Sequence, residues 1–275
     1  MGGADVHGRG EAGGEGPVSG VERDAAVGIV TEWIDVDVAG EAAPMSAYLA
    51  RPVGPGPYPN VLVGFEMFGV TGYVRGVAER LARLGYRALV PDFNHRQGTR
   101  IELSADDVGR ARGFELVGAW ERDAVRRDVM GAITALGRRF GEAPTAMLGL
   151  SAGGHLAYYA ATQVPLAALV AFYPGWLTSA DFALGGPEPI VELTASIAAQ
   201  GTPVLVLIGE ADHLYTAAER DSIGRELKEA GARHEVIVYP DTPHGFFCDE
   251  RDSYRPEQAA DAWSRATALL ARTLR

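Results

Sequence analysis

The stretch Gly149-Leu150-Ser151-Ala152-Gly153-Gly154 constrains this chain more than any other part of it. It directly follows the apolar, strand-like run Thr145 to Leu148 and opens the helical pattern Gly154 to Gln163. G-x-S-x-G between a strand and a helix is a sharp turn that lifts one serine hydroxyl out of a sheet. Small residues flank the serine because the turn leaves no room for side chains. The helix start behind Ser151 also supplies unpaired N–H groups and the positive end of a helix dipole, which suit an oxygen gaining negative charge.

The rest of the chain is organised around such a unit. Thr31 to Val38 and Met45 to Arg51 read as a short antiparallel pair, and Asn60 to Phe65 as a central strand buried on both faces. Tyr86 to Val90, Thr145 to Gly149, Ala167 to Phe172, Pro203 to Ile208 and His234 to Tyr239 are strand-like, with helical patterns between them. Trp120 to Phe140 repeats apolar residues every three and four positions, as do Val74 to Leu84 and Ala217 to Ala230. Gly85 and Gly231 stop the last two, and Pro256 starts a terminal helix to Leu274. This alternation predicts an α/β fold: a mostly parallel central sheet covered by helices on both faces.

A 275-residue chain that is 47% hydrophobic can bury one large core, so one domain is expected over 22–275. Residues 1–21, rich in glycine with scattered charges, read as a flexible tail. They lack the apolar core of a secretory signal, and the longest apolar stretches are too short to span a membrane. The net charge of −11 argues against nucleic acid or an anionic membrane surface as a partner. Arg122 to Arg127, interleaved with Asp123 and Asp128, read as a solvated helix face. Cys248 is the single cysteine, which excludes an internal disulfide and a cysteine-rich metal site and fits a cytoplasmic location.

A serine hydroxyl needs a base to take its proton, and in this kind of turn the chain order is serine, acid, histidine. His244, in a Pro-His-Gly loop after the last strand, is the candidate base. His7, His155, His213 and His234 read as ordinary tail, surface or core residues. Asp212, just past the strand Pro203 to Ile208, is favoured as the acid that orients His244, with Glu210 as its competitor and Asp241 as an ordinary loop carboxylate.

Several segments together resemble the dienelactone hydrolases (carboxymethylenebutenolidases) of the α/β-hydrolase superfamily. They are Phe65-Glu66-Met67-Phe68-Gly69, Pro91-Asp92-Phe93 followed by Arg96-Gln97, the serine turn, Gly209 to Leu214, and His244-Gly245-Phe246. The resemblance runs from about Thr31 to the C-terminus. It implies the α/β-hydrolase fold and an oxyanion hole made by the N–H groups of Met67 and Ala152. It also implies a buried auxiliary glutamate at Glu66 and an arginine, Arg96, that recognises a substrate carboxylate. The best-known members carry cysteine where this chain has Ser151. A second arginine, expected shortly after the histidine, is not found in the Cys248 region.

The expected function is hydrolysis of a small-molecule carboxylic ester or lactone through an acyl-enzyme, with no metal or organic cofactor implied. The same site could serve elimination, isomerisation or acyl transfer, and a pocket without turnover would make a binding module. The intact serine, aspartate and histidine argue against the last.

Overall fold

The computed structural model describes residues 1, 2 and 28–274, so nearly all of the expected tail lies outside the described residues. Eight strands form one sheet: β1 (Ile29–Val36), β2 (Met45–Pro52), β3 (Asn60–Gly64), β4 (Arg87–Pro91), β5 (Thr145–Leu150), β6 (Leu169–Phe172), β7 (Val204–Gly209) and β8 (His234–Tyr239). Their order is β1-β2-β4-β3-β5-β6-β7-β8. β1 pairs with β2 and β2 with β4 antiparallel, and every other pairing is parallel. Every residue of β3 to β7 is buried, which is why these strands read as unbroken apolar runs rather than alternating ones.

The helices α1 (Gly72–Arg83), α2 (Asp107–Gly118), α3 (Arg122–Phe140), α4 (Ala152–Gln163), α5 (Thr194–Ala199), α6 (Ala217–Glu229) and α7 (Pro256–Thr273) lie between and after the strands. α1 and α6 stop just before Gly85 and Gly231, whose φ values of 97° and 72° suit glycine. α6 starts on a capping box in which Thr216 and Glu219 bond reciprocally to each other's backbone.

Two helices are not visible as patterns in the sequence. α2 buries Gly109, Gly113, Leu116 and Val117, so half of its inner face is glycine and carries no apolar stripe. α5 spans only six residues. The Arg122 to Arg127 face also differs from expectation. Asp128 is fully buried, and Arg122 turns inward to donate to the Leu184 carbonyl at 2.8 Å and to Glu188 at 2.6 Å.

β3 is followed in space by β4 on one side and β5 on the other, so the chain changes direction across the sheet between them. Loops leaving the carboxyl ends of strands at such a switch point border a crevice, where open α/β sheets bind ligands. Here those loops carry Met67 after β3 and Ser151 after β5.

Candidate active site

Ser151 sits between β5 and α4 with φ 54° and ψ −116°, outside the regions a non-glycine residue ordinarily occupies. The turn closes because Gly149 and Gly153, two positions to either side, have no side chains. A Cβ on Gly149 would lie 2.1 Å from the Gly153 carbonyl oxygen, and one on Gly153 would lie 2.2 Å from the carbonyl carbon of Gly64 in β3. The helix start is thereby pressed onto two strands, backbone to backbone.

The structure brings Ser151, His244 and Asp212 together. Ser151 Oγ is 2.8 Å from His244 Nε2, and His244 Nδ1 is 2.8 Å from Asp212 Oδ2. Asp212 reaches the histidine from the loop after β7, and its other oxygen accepts the Leu214 N–H at 3.0 Å. Its side chain is fully buried, while that of His244 is 13% exposed, so the imidazole is the part open to a ligand. Glu210 points elsewhere and accepts the Asp241 N–H at 3.3 Å. The edge of Tyr173 meets the His244 ring with centroids 5.1 Å apart.

A cavity of about 500 Å³ opens over Ser151 and His244. Met67 and Glu66 also line it, on the turn that follows β3. This turn is fixed by Gly69 N–H to the Glu66 carbonyl (3.1 Å), by Leu103 N–H to the Phe68 carbonyl (3.0 Å) and by a bridge between Gly69 and Glu102. Ala152 is the first residue of α4, where an N–H has no partner within the helix.

Glu66 is only 3% exposed. It accepts a hydrogen bond from the Tyr173 hydroxyl at 3.3 Å and forms an ion pair with Arg251. Burial pushes its carboxyl above the usual range, against the pull of Arg251 and His244. The Arg251 guanidinium also lies over the Phe68 ring, 4.7 Å from its centroid. Cys248 stands behind this pair, its thiol pushed up to about 12 by burial and by the charge of Glu66. It is therefore poorly suited to act as a nucleophile.

The structure does not bring Arg96 to this cavity. Its two terminal nitrogens donate to Asp128 at 2.8 Å each, and Nε donates to Glu41 at 2.9 Å. It borders a separate cavity with Gln97 and Trp120. The physical reason is Asp128, a buried carboxylate on α3 that without this guanidinium would keep only a 3.3 Å contact to His95. An arginine that the sequence reading did not single out, Arg251, lines the cavity from beyond Cys248. The folding of the loop that carries it from His244 past Cys248 has no signature in the sequence. Phe114, Trp176 and His213 are further lining residues that patterns do not reveal, His213 with its ring 5.6 Å from that of His244.

The sheet order, the strained serine after β5 and the serine–histidine–aspartate chain define the α/β-hydrolase fold. Residues 45–274 match the dienelactone hydrolase family. A provisionally named carboxymethylenebutenolidase of Synechocystis sp. is 31% identical over 236 residues, covering 85% of this chain and 94% of that protein. Another from Methylorubrum extorquens is 35% identical over 235 residues, covering 84% and 78%. A provisionally named dienelactone hydrolase from Klebsiella pneumoniae superposes with a TM-score of 0.79 at 31% identity, covering 89% of this chain and 99% of that one. The chain belongs to the dienelactone hydrolase family.

Proposed function

We propose that this protein, a carboxylic ester or lactone hydrolase by family, works through Ser151 as nucleophile in an acyl-enzyme mechanism. Ser151 Oγ attacks the carbonyl carbon while His244 Nε2 takes its proton, and Asp212 holds the imidazole in the tautomer that can accept it. The N–H groups of Met67 and Ala152 are assigned to the carbonyl oxygen as it becomes an oxyanion. His244 then gives its proton to the departing alkoxide. Water attacks the acyl-enzyme with His244 as base, releasing the acid and restoring the serine. A lactone follows the same steps, its leaving alcohol staying attached to the acid.

The observation that carries this reading is the pair of 2.8 Å contacts linking Ser151, His244 and Asp212. Glu66 is assigned an auxiliary role: it holds Arg251 and bears on His244 from within the cavity wall. Arg251, rather than Arg96, is the group suited to a substrate carboxylate, because a guanidinium can grip both oxygens.

The activity is assigned to one domain over 22–275. Among the described residues no helix is long and apolar enough to cross a membrane. The net charge of −11 favours a small-molecule substrate over a nucleic acid or an anionic lipid surface, and the single, buried Cys248 fits the cytoplasm.

Fluorophosphonate labelling combined with product mass tests the reading. An adduct on Ser151 and products carrying one added water are expected. Absence of the adduct, or products without added water, overturns it.

A further inference from the structure

The cavity over Ser151 contains an aromatic group that proton transfer does not use. Trp176 follows β6, the strand beside β5, in the sequence Pro174-Gly175-Trp176, and its backbone takes a φ of 53°. A bulky residue rarely adopts that conformation, and it persists where the surroundings impose it. The surroundings here are rings. Trp176 lies 4.4 Å from Phe182 between centroids, 6.0 Å from Phe114 and 6.2 Å from His155. His155 is fully buried, and burial lowers its imidazole to about 4, so Trp176 stands against a neutral ring.

Phe114 completes the group from α2. It is 42% exposed, yet it stands edge-on to both Trp176 and Phe182, and with Trp176 it borders the cavity of the nucleophile. A lone exposed phenylalanine needs no explanation. One gathered with two other rings beside a reactive serine does, because exposed apolar surface of this kind marks binding sites.

We propose that Phe114 and Trp176 form a shelf that binds a flat aryl group of the substrate, making aryl-bearing esters and lactones the preferred class. The proposal rests on ester hydrolysis at Ser151. Ring against ring is favoured beyond the area it buries, as in the edge-on geometry that Phe114 already adopts with Trp176 and Phe182. A long alkyl chain fits the cavity less well. Arg110, Glu250 and Asp252 share the lining, and a chain long enough to reach them would strip them of water. A single flat ring covers the shelf and leaves the charged part wet.

Two pairs of esters test this: benzyl against cyclohexylmethyl acetate, and methyl phenylacetate against methyl cyclohexylacetate. Within each pair the ester linkage is alike and the rings match in size, and dividing each kcat/KM by the alkaline hydrolysis rate removes the small intrinsic activation by phenyl. The expected result is a preference in kcat/KM of about tenfold for the aryl compound in at least one pair. Phe114→Leu and Trp176→Leu should each reduce that ratio to about twofold. Phe114 is on the surface, so its variant keeps the proposal testable if the Trp176 variant fails to fold. A ratio near one in both pairs for the wild type, or a ratio that Phe114→Leu leaves unmoved, overturns the shelf. Failure of Ser151 to take a fluorophosphonate overturns the hydrolytic reading instead, whereas labelling without aryl preference removes the shelf alone.

Discussion

Glu66 and Arg251 meet in the partition between two cavities, each residue lining both. One is the 500 Å³ space over Ser151, and the other, of about 300 Å³, extends to Tyr73 and Cys248. A substrate carboxylate entering the first cavity would compete with Glu66 for the guanidinium.

Arg251→Met should therefore lower kcat/KM for an anionic lactone by about ten- to a hundredfold, the size of one charge-assisted hydrogen bond, with a smaller loss for a neutral ester. The variant also strands a buried carboxylate. Arg251 is partly exposed, so the cost to stability should be about 2–3 kcal/mol, at or below the lower end for breaking a buried pair. Adding Glu66→Gln should recover most of that stability without recovering the anionic preference. Steady-state kinetics on both substrates and thermal melts of the three variants check this; equal kinetic losses for both substrates would count against it.

Ser151→Ala should lower esterase turnover by about a thousandfold or more while leaving the thermal midpoint nearly unchanged, since only one hydroxyl oxygen is removed. His244→Ala should match it. Asp212→Asn should lose less than either, and Glu210→Gln should stay within about twofold of wild type. A larger loss at Glu210 than at Asp212 would reverse the assignment of the acid.

Gly113→Ala separates positioning from stability. In an ordinary helix interior this change gains about 0.5–1 kcal/mol. Here the new Cβ would lie 2.9 Å from the Met67 carbonyl oxygen and 3.1 Å from its Cγ, so α2 would push on the turn assigned to the oxyanion. The expected outcome is a fall in kcat of about tenfold with KM changed by less than about twofold, and a thermal midpoint that moves by no more than about 3 °C. Unaltered kcat would show that the turn yields freely.

Asp128 gives the acid dependence of stability. Burial alone would raise its carboxyl, and its bonds to Arg96 and His95 outweigh that, leaving it below the usual carboxylate range. A carboxylate depressed in the folded state contributes stability that is present above its unfolded pKa and is lost as pH falls through the folded value. Asp128→Asn should therefore be less stable than wild type at pH 7, with the gap narrowing below about pH 4. Urea denaturation at both pH values measures it; a constant gap would place the stabilisation elsewhere.

Much of the frame was legible because it is local. The apolar runs of β3 to β7 and the serine turn are contiguous segments whose neighbours in sequence are also neighbours in space. The order Ser151, Asp212, His244 was legible for a different reason: each follows a strand, and strand ends in a parallel sheet deliver their loops to one edge. Arg96 was misplaced, and Arg251 was not foreseen, because guanidinium partners are long-range. Nothing near Arg96 in sequence reveals that α3 will bring a buried Asp128 to it. α2 was invisible because glycine, not an apolar side chain, forms its contact with Met67. The Phe114 and Trp176 contact joins residues with no shared pattern at all.

The meeting of Gly153 with Gly64 involves peptide groups alone. No rotamer enters that contact, so core substitutions elsewhere in the sheet reach the spacing between the loops after β3 and β5 only by shifting backbone. Phe114 and Trp176 belong to segments outside the contact. Lineages of this fold can thus change what they accept, one wall residue at a time, while inheriting the reacting geometry intact.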